Sequence, residues 1–304
     1  MEGLFFFRDL PRVLLLSLIM TRLGQSAAAT GPPPGTLIDV SGHRLHIHCV
    51  GPPDSKPVVV FEAGAGAFSQ DWTGVQDRLA TRFRTCAYDR AGLGWSDPGP
   101  APRTLVQEVF ELQALLKRAK IFPPFVLVGQ SLGAMNVRLF IERYSDEVVG
   151  IVLVDPADEN SMLFMVGTKR WMKLRDQARG RKVPPPRERG LPSTGYNPED
   201  DFLGDEAQLL YLSRQKNPQP FDDRPMFVLA AGKRATPPGM TEDSYRNIRR
   251  AIDQDRVDAA HLSRNSKFVL DVNSGHNIQL DDPQAVAEAV TEVVAAFKNH
   301  TNLK

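Results

Sequence analysis

The stretch VLVGQSLGAM, residues 126–135, decides the fold. An apolar run precedes Gly129, and a helix-type run, LGAMNVRLFIERYS, follows Ser131. A short continuous apolar run bounded by a turn residue reads as a strand buried on both faces. Ser131 therefore sits between a strand and a helix, with Gly129 and Gly133 two residues to either side. In that setting G-x-S-x-G puts the serine on a sharp, strained turn that lifts its hydroxyl above the sheet. The glycines are needed because side chains there would collide as strand and helix pack. Ser131 is the candidate nucleophile. A serine hydroxyl alone is weak, so the chain must also supply a base, a group that orients the base, and donors for an oxyanion.

Of the six histidines, only His276, in DVNSGHNIQLDDP, lies in a loop between the last strand candidate and the last helix candidate. It is the expected general base. His43, His46 and His48 cluster in the first hairpin and read as packed or solvated hairpin residues rather than as a metal site. His261 falls in a charged helical run and His300 in the tail. The oxyanion donors are expected from the backbone N–H groups of Leu132, after the nucleophile, and of the loop in FEAGAGAF. Ala65 is the choice there, with Gly66 as the fallback.

Outward from the serine, strand candidates alternate with helix candidates. TLIDVSGHRLHIHCV reads as a hairpin turning at Ser41-Gly42. PVVVFEAG, RTCAYDRAG, PFVLVGQS, GIVLVDP, PMFVLAAG and KFVLDVNSG follow as apolar strands. Between them LVQEVFELQALLKRAK (105–120) carries a stripe of Val106, Val109, Phe110, Leu112, Leu115 and Leu116. The alternation predicts an α/β fold with a mostly parallel eight-stranded sheet flanked by helices. About 156–224 breaks the rhythm and reads as a cap or lid insertion after strand six. Its Met162, Leu163, Phe164, Met165, Trp171, Met172 and Leu174 would form an adaptable apolar surface.

With 304 residues, 42% hydrophobic and 24% charged, the composition is that of an ordinary globular chain with ample material for a large core. A net charge of +1 offers no field for nucleic acid. Residues 1–29 contain the short apolar run VLLLSLIM followed by SAAA, which reads as a signal peptide or a membrane-tethering leader. Residues 30–35 read as a linker, and 36–304 as the folded domain. Secretion, or the lumen of the secretory pathway, is the expected location, with tethering by the leader as the alternative. The leader and the cap would also suit contact with a lipid surface. Two cysteines, Cys49 and Cys86, fit an oxidising compartment.

VVVFEAGAG with the following DW, YDRAGLGWSD, VLVGQSLGA, IVLVDP and SGHNIQLDDP together resemble the α/β-hydrolase superfamily, over nearly all of residues 36–298. The resemblance implies that fold, no cofactor, no metal, and a small-molecule ester substrate. It sets Ala63 and Gly64 where members commonly carry His-Gly, which places the oxyanion donor at Ala65. It also pairs the second strand with the fourth, making Cys49 and Cys86 neighbours. Many members carry the triad acid after the penultimate strand as G-x-x-D, but here that segment reads LAAGKRATPPG. LVDPADE resembles the lipase-type motif in which the acid lies one strand earlier, so Asp155 is the expected acid and Asp158 the fallback.

The expected function is cleavage of carboxylic esters, with apolar acyl groups favoured by the cap, through Ser131, His276 and Asp155. A serine rather than an aspartate at the elbow argues against haloalkane dehalogenase or epoxide hydrolase chemistry, and Leu132 argues against a prolyl aminopeptidase. Carbon–carbon bond hydrolase and thioesterase activities remain alternatives on the same triad, as does a non-catalytic binding protein of the same fold.

Overall fold

The computed structural model describes residues 34–101, 103–163, 201–236 and 240–303. The leader, most of the linker, and Phe164, Met165, Trp171, Met172 and Leu174 of the expected cap surface lie outside the described residues. Eight strands form one sheet: β1 (Thr36–Asp39), β2 (Arg44–Val50), β3 (Val58–Glu62), β4 (Thr85–Tyr88), β5 (Phe125–Gln130), β6 (Val148–Val154), β7 (Met226–Ala231) and β8 (Ser266–Asp271). Their order is β1-β2-β4-β3-β5-β6-β7-β8. β1 and β2 form the antiparallel hairpin that the sequence predicts, turning through Ser41 and Gly42, both at positive φ. β2 also runs antiparallel to β4; all later pairings are parallel.

The continuous apolar runs are explained by burial on both faces. Every residue of β3, β4, β5 and β7 is buried. One face is covered by α2 (Leu105–Arg118) and α3 (Leu132–Arg143), whose Leu112, Leu115, Met135 and Phe140 join Val60 and Leu127 in one cluster. The other is covered by α1 (Thr73–Leu79) and the last helix, where Val75, Leu79, Val286, Val290 and Val293 meet Phe61 and Val128. In α2 the stripe differs from expectation: Phe110 is 47% exposed, and Leu105, Glu108 and Glu111 are buried instead. Arginines allow this. Arg90 lies 3.4 Å from Glu108, and Arg103 pairs with Glu111 at 2.5 Å. Phe110 covers the guanidinium of Arg143, 4.7 Å from its ring centre.

Between β6 and β7, α4 (Asp201–Lys216) buries Ala207 and Leu210. Met162 and Leu163, ahead of it in the chain, pack partly buried on the same core. α5 (Glu242–Ala259) joins β7 to β8, and α6 (Ile278–Asp281) and α7 (Pro283–Asn299) close the chain. Asp282 caps α7 by accepting from the Ala285 N–H, and Pro283 opens it. Cys49 and Cys86 face each other across β2 and β4 and are joined in a disulfide. No helix among the described residues is long and apolar enough to cross a membrane.

Candidate active site

The parallel strands deliver the expected residues to one rim of the sheet. Ser131 follows β5, Asp155 follows β6, and His276 follows β8. Ser131 has φ 51° and ψ −119°, a strained conformation for a residue with a side chain, and Asp155 also has positive φ, 40°. The strain is held by backbone hydrogen bonds. Ser131 N–H donates to Val154, and the Ser131 carbonyl accepts from Ala134 and Ala157. The elbow glycines show why nothing larger fits. A Cβ at Gly133 would lie 2.4 Å from the Glu62 carbonyl oxygen, and one at Gly129 would lie 2.6 Å from that of Gly133.

His276 Nε2 lies 3.0 Å from Ser131 Oγ, and His276 Nδ1 lies 2.6 Å from Asp155 Oδ2. Asp155 is fully buried, and His276 is 43% exposed. A proton on Nδ1, facing the carboxylate, leaves Nε2 free to accept the serine proton. Burial pushes the Asp155 carboxyl up. The hydrogen bond with His276 and the charge of Arg256 outweigh that, and the pKa falls well below the ordinary carboxylate value.

Asp158, the fallback acid, is not on the imidazole. It lies 3.4 Å from Arg214 of α4 and 3.9 Å from Arg138 of α3. Burial and the neighbouring Glu159 raise its pKa. The hairpin histidines separate too: His46 is buried, 3.1 Å from Asp89, with its ring tilted against that of Trp95.

Three contributors escape sequence reading. Gln130, within the elbow, donates its amide to the His276 carbonyl at 3.1 Å and sits 3.3 Å from His276 Nε2. Arg256, from α5, places Nε 2.5 Å from Asp155 Oδ1 and its second nitrogen 3.1 Å from Oδ2. Arg234, after β7, lies 2.8 Å from Oδ1. The only advance signal is the cationic GKRAT where a carboxylate is commonly found.

The loop after β3 is fixed from beneath. Arg90, buried, donates to the carbonyls of Ala63 at 2.5 Å and Gly64 at 2.6 Å. In a trans peptide the C=O and the next N–H point opposite ways. The Ala65 N–H therefore faces away from Arg90. Leu132 opens α3, where the first N–H groups have no partner within the helix.

The model of the Alpha/beta hydrolase family matches residues 59–289. The uncharacterised protein YqjL of Bacillus subtilis is 30% identical over 242 residues, 80% of this chain and 85% of that protein. Other curated relatives are much longer than the matched part. The uncharacterised vacuolar membrane protein of Saccharomyces cerevisiae is 34% identical over 137 residues, 40% of this chain and 21% of that one. Among solved structures, a thermophilic esterase from Thermogutta terrifontis superposes with a TM-score of 0.58 at 17% identity, covering 86% of this chain and 98% of that one. A meta-cleavage product hydrolase from Pseudomonas fluorescens IP01 gives 0.59 at 16%, covering 86% and 98%. At such identities the superpositions speak for the fold. The family match over most of the chain and the eight-stranded sheet carry the same conclusion: this chain is a member of the alpha/beta hydrolase family.

Proposed function

We propose that the protein is a serine hydrolase that cleaves carboxylic esters through an acyl-enzyme. The supporting observation is the continuous relay from Ser131 Oγ to His276 Nε2, and from Nδ1 to Asp155. His276 takes the serine proton as Oγ attacks the ester carbonyl, and the backbone N–H groups of Ala65 and Leu132 receive the oxyanion. His276 then returns the proton to the leaving alcohol. A water molecule, deprotonated by the same imidazole, releases the acid and restores the serine. Asp155 holds the tautomer and steadies the imidazolium. Met162 and Leu163, seven and eight residues past Asp155 and partly buried, favour esters with apolar acyl groups. The disulfide and the leader favour a secretory-pathway location, with the leader as a membrane contact.

The test is labelling with a fluorophosphonate, with turnover of p-nitrophenyl esters of graded chain length. Wild type should label at Ser131 and turn over the esters. Ser131→Ala should remain folded, fail to label, and lose at least about 10⁴-fold in kcat. A folded Ser131→Ala protein with near-normal turnover would end this reading.

A further inference from the structure

The acid of the proposed relay has an unusual set of partners. Its Oδ1 accepts from the Ala231 N–H, from Arg234 and from Arg256 Nε; its Oδ2 accepts from His276 and from the other arm of Arg256. An ionised carboxylate offers roughly four lone-pair sites. Five donors therefore saturate it and leave no freedom to rotate away from the imidazole. β7 and the loop after it supply Ala231 and Arg234, and α5 supplies Arg256. The segment that commonly carries the acid here carries the groups that hold an acid placed one strand earlier.

The charges have a second effect. Arg234 and Arg256 are nearly buried, with side-chain exposures of 7% and 8%. One carboxylate faces two guanidiniums, so its charge is already shared before the imidazole is protonated. Asp253, on α5, lies 3.3 Å from Arg234, but it is nearly half exposed and offsets only part of that charge. The remaining neighbours add little: Gln130 and Ser131 are neutral, and Asp281 of α6 reaches the backbone N–H of Gly275. Lys233, beside Arg234, is exposed.

We infer that Arg234 and Arg256 are positioning residues that fix Asp155 against His276 and keep the imidazole neutral, hence competent as a base, to lower pH than the Ser–His–Asp contacts alone would allow. The inference rests on the serine-hydrolase reading above. Removing either cation favours the imidazolium. The acid limb of the kcat/KM profile, which reports the base in the free enzyme, then moves to higher pH.

The experiment measures kcat/KM and fluorophosphonate labelling rate against pH for the full chain and for Arg256→Gln, Arg234→Gln and Arg256→Lys. Each Gln variant should shift the acid limb upward by about one pH unit. Arg256→Lys, which keeps the charge but not the two-armed contact, should keep the limb near its wild-type position while kcat falls. If Arg256→Gln does not fold, Arg234→Gln, in a loop rather than a helix, carries the measurement. Labelled Gln variants with the wild-type limb would overturn the inference and leave the serine-hydrolase reading standing. Failure of the wild type to label would overturn both.

Discussion

At the scale of single residues, the placement of Asp155 is the sharpest claim. Asp155→Asn keeps the shape of the site but loses the charge and the correct imidazole tautomer, and about 10⁴-fold in kcat is expected to go with it, as in the serine-protease triad. Asp158→Asn should cost far less, because Asp158 faces Arg214 and Arg138. Steady-state kinetics on the two variants decide the matter; equal losses would contradict the geometry. Ser131, His276 and Asp155 were readable in the sequence because each sits in a local pattern that ends a strand. Asp158 was harder to reject. The positive φ at Asp155 and the Ala157–Ser131 hydrogen bond turn the chain away from the imidazole, and a spacing of three residues does not show that. Beyond the cationic GKRAT around Arg234, nothing in the sequence points to Arg234 or Arg256. They meet Asp155 across 79 and 101 residues of sequence, and no local spacing encodes contacts of that range.

At the scale of elements, α2 is the instructive case. Hydrophobic periodicity located the helix and the buried Val109, Leu112, Leu115 and Leu116 but missed Glu108 and Glu111 beside them, because it counts a glutamate as polar whether or not an arginine awaits it. Glu108 is buried, accepts from Asn136 at 2.9 Å, and shares Arg90 with Glu62. Two carboxylates on one guanidinium leave an excess negative charge. Burial pushes the Glu108 carboxyl from its ordinary 4.5 up to about 7 despite Arg90. The folded state thus binds this proton more tightly than the unfolded chain does. The resulting stabilisation is complete below the unfolded value and is lost as pH rises through the folded one, a change on the order of 3 kcal/mol. Glu108→Gln keeps the shape and removes the titration. Urea unfolding should find the variant more stable than wild type near pH 8 and little different near pH 4.5. Stability curves that run parallel across that range would refute the assignment.

At the scale of the whole molecule, the alternation of strands and helices was legible, as was the hairpin at the start. The strand order had no local signal: the β2–β4 pairing came only from the family resemblance, and the place of β3 between β4 and β5 rests on pairings distant in sequence. The Cys49–Cys86 disulfide joins β2 to β4 across 37 residues of chain. A loop of that length should contribute about 3–4 kcal/mol by restricting the unfolded ensemble. Urea unfolding of the Cys49→Ala/Cys86→Ala double variant should therefore show a clear loss against the oxidised wild type, and a midpoint unchanged would refute it. One further feature bears on how such a protein changes over generations. Asp155 is the last proposed reacting group before the long connection between β6 and β7, and Ala231 is the first of its supports after it. Apart from Ala157, which holds the Ser131 carbonyl, residues between β6 and β7 that would choose the substrate could then drift, lengthen or be exchanged without moving Ser131, Asp155 or His276. The proposed chemistry and the proposed selectivity would then be separable traits, the first kept by descendants of one ancestor while the second is traded.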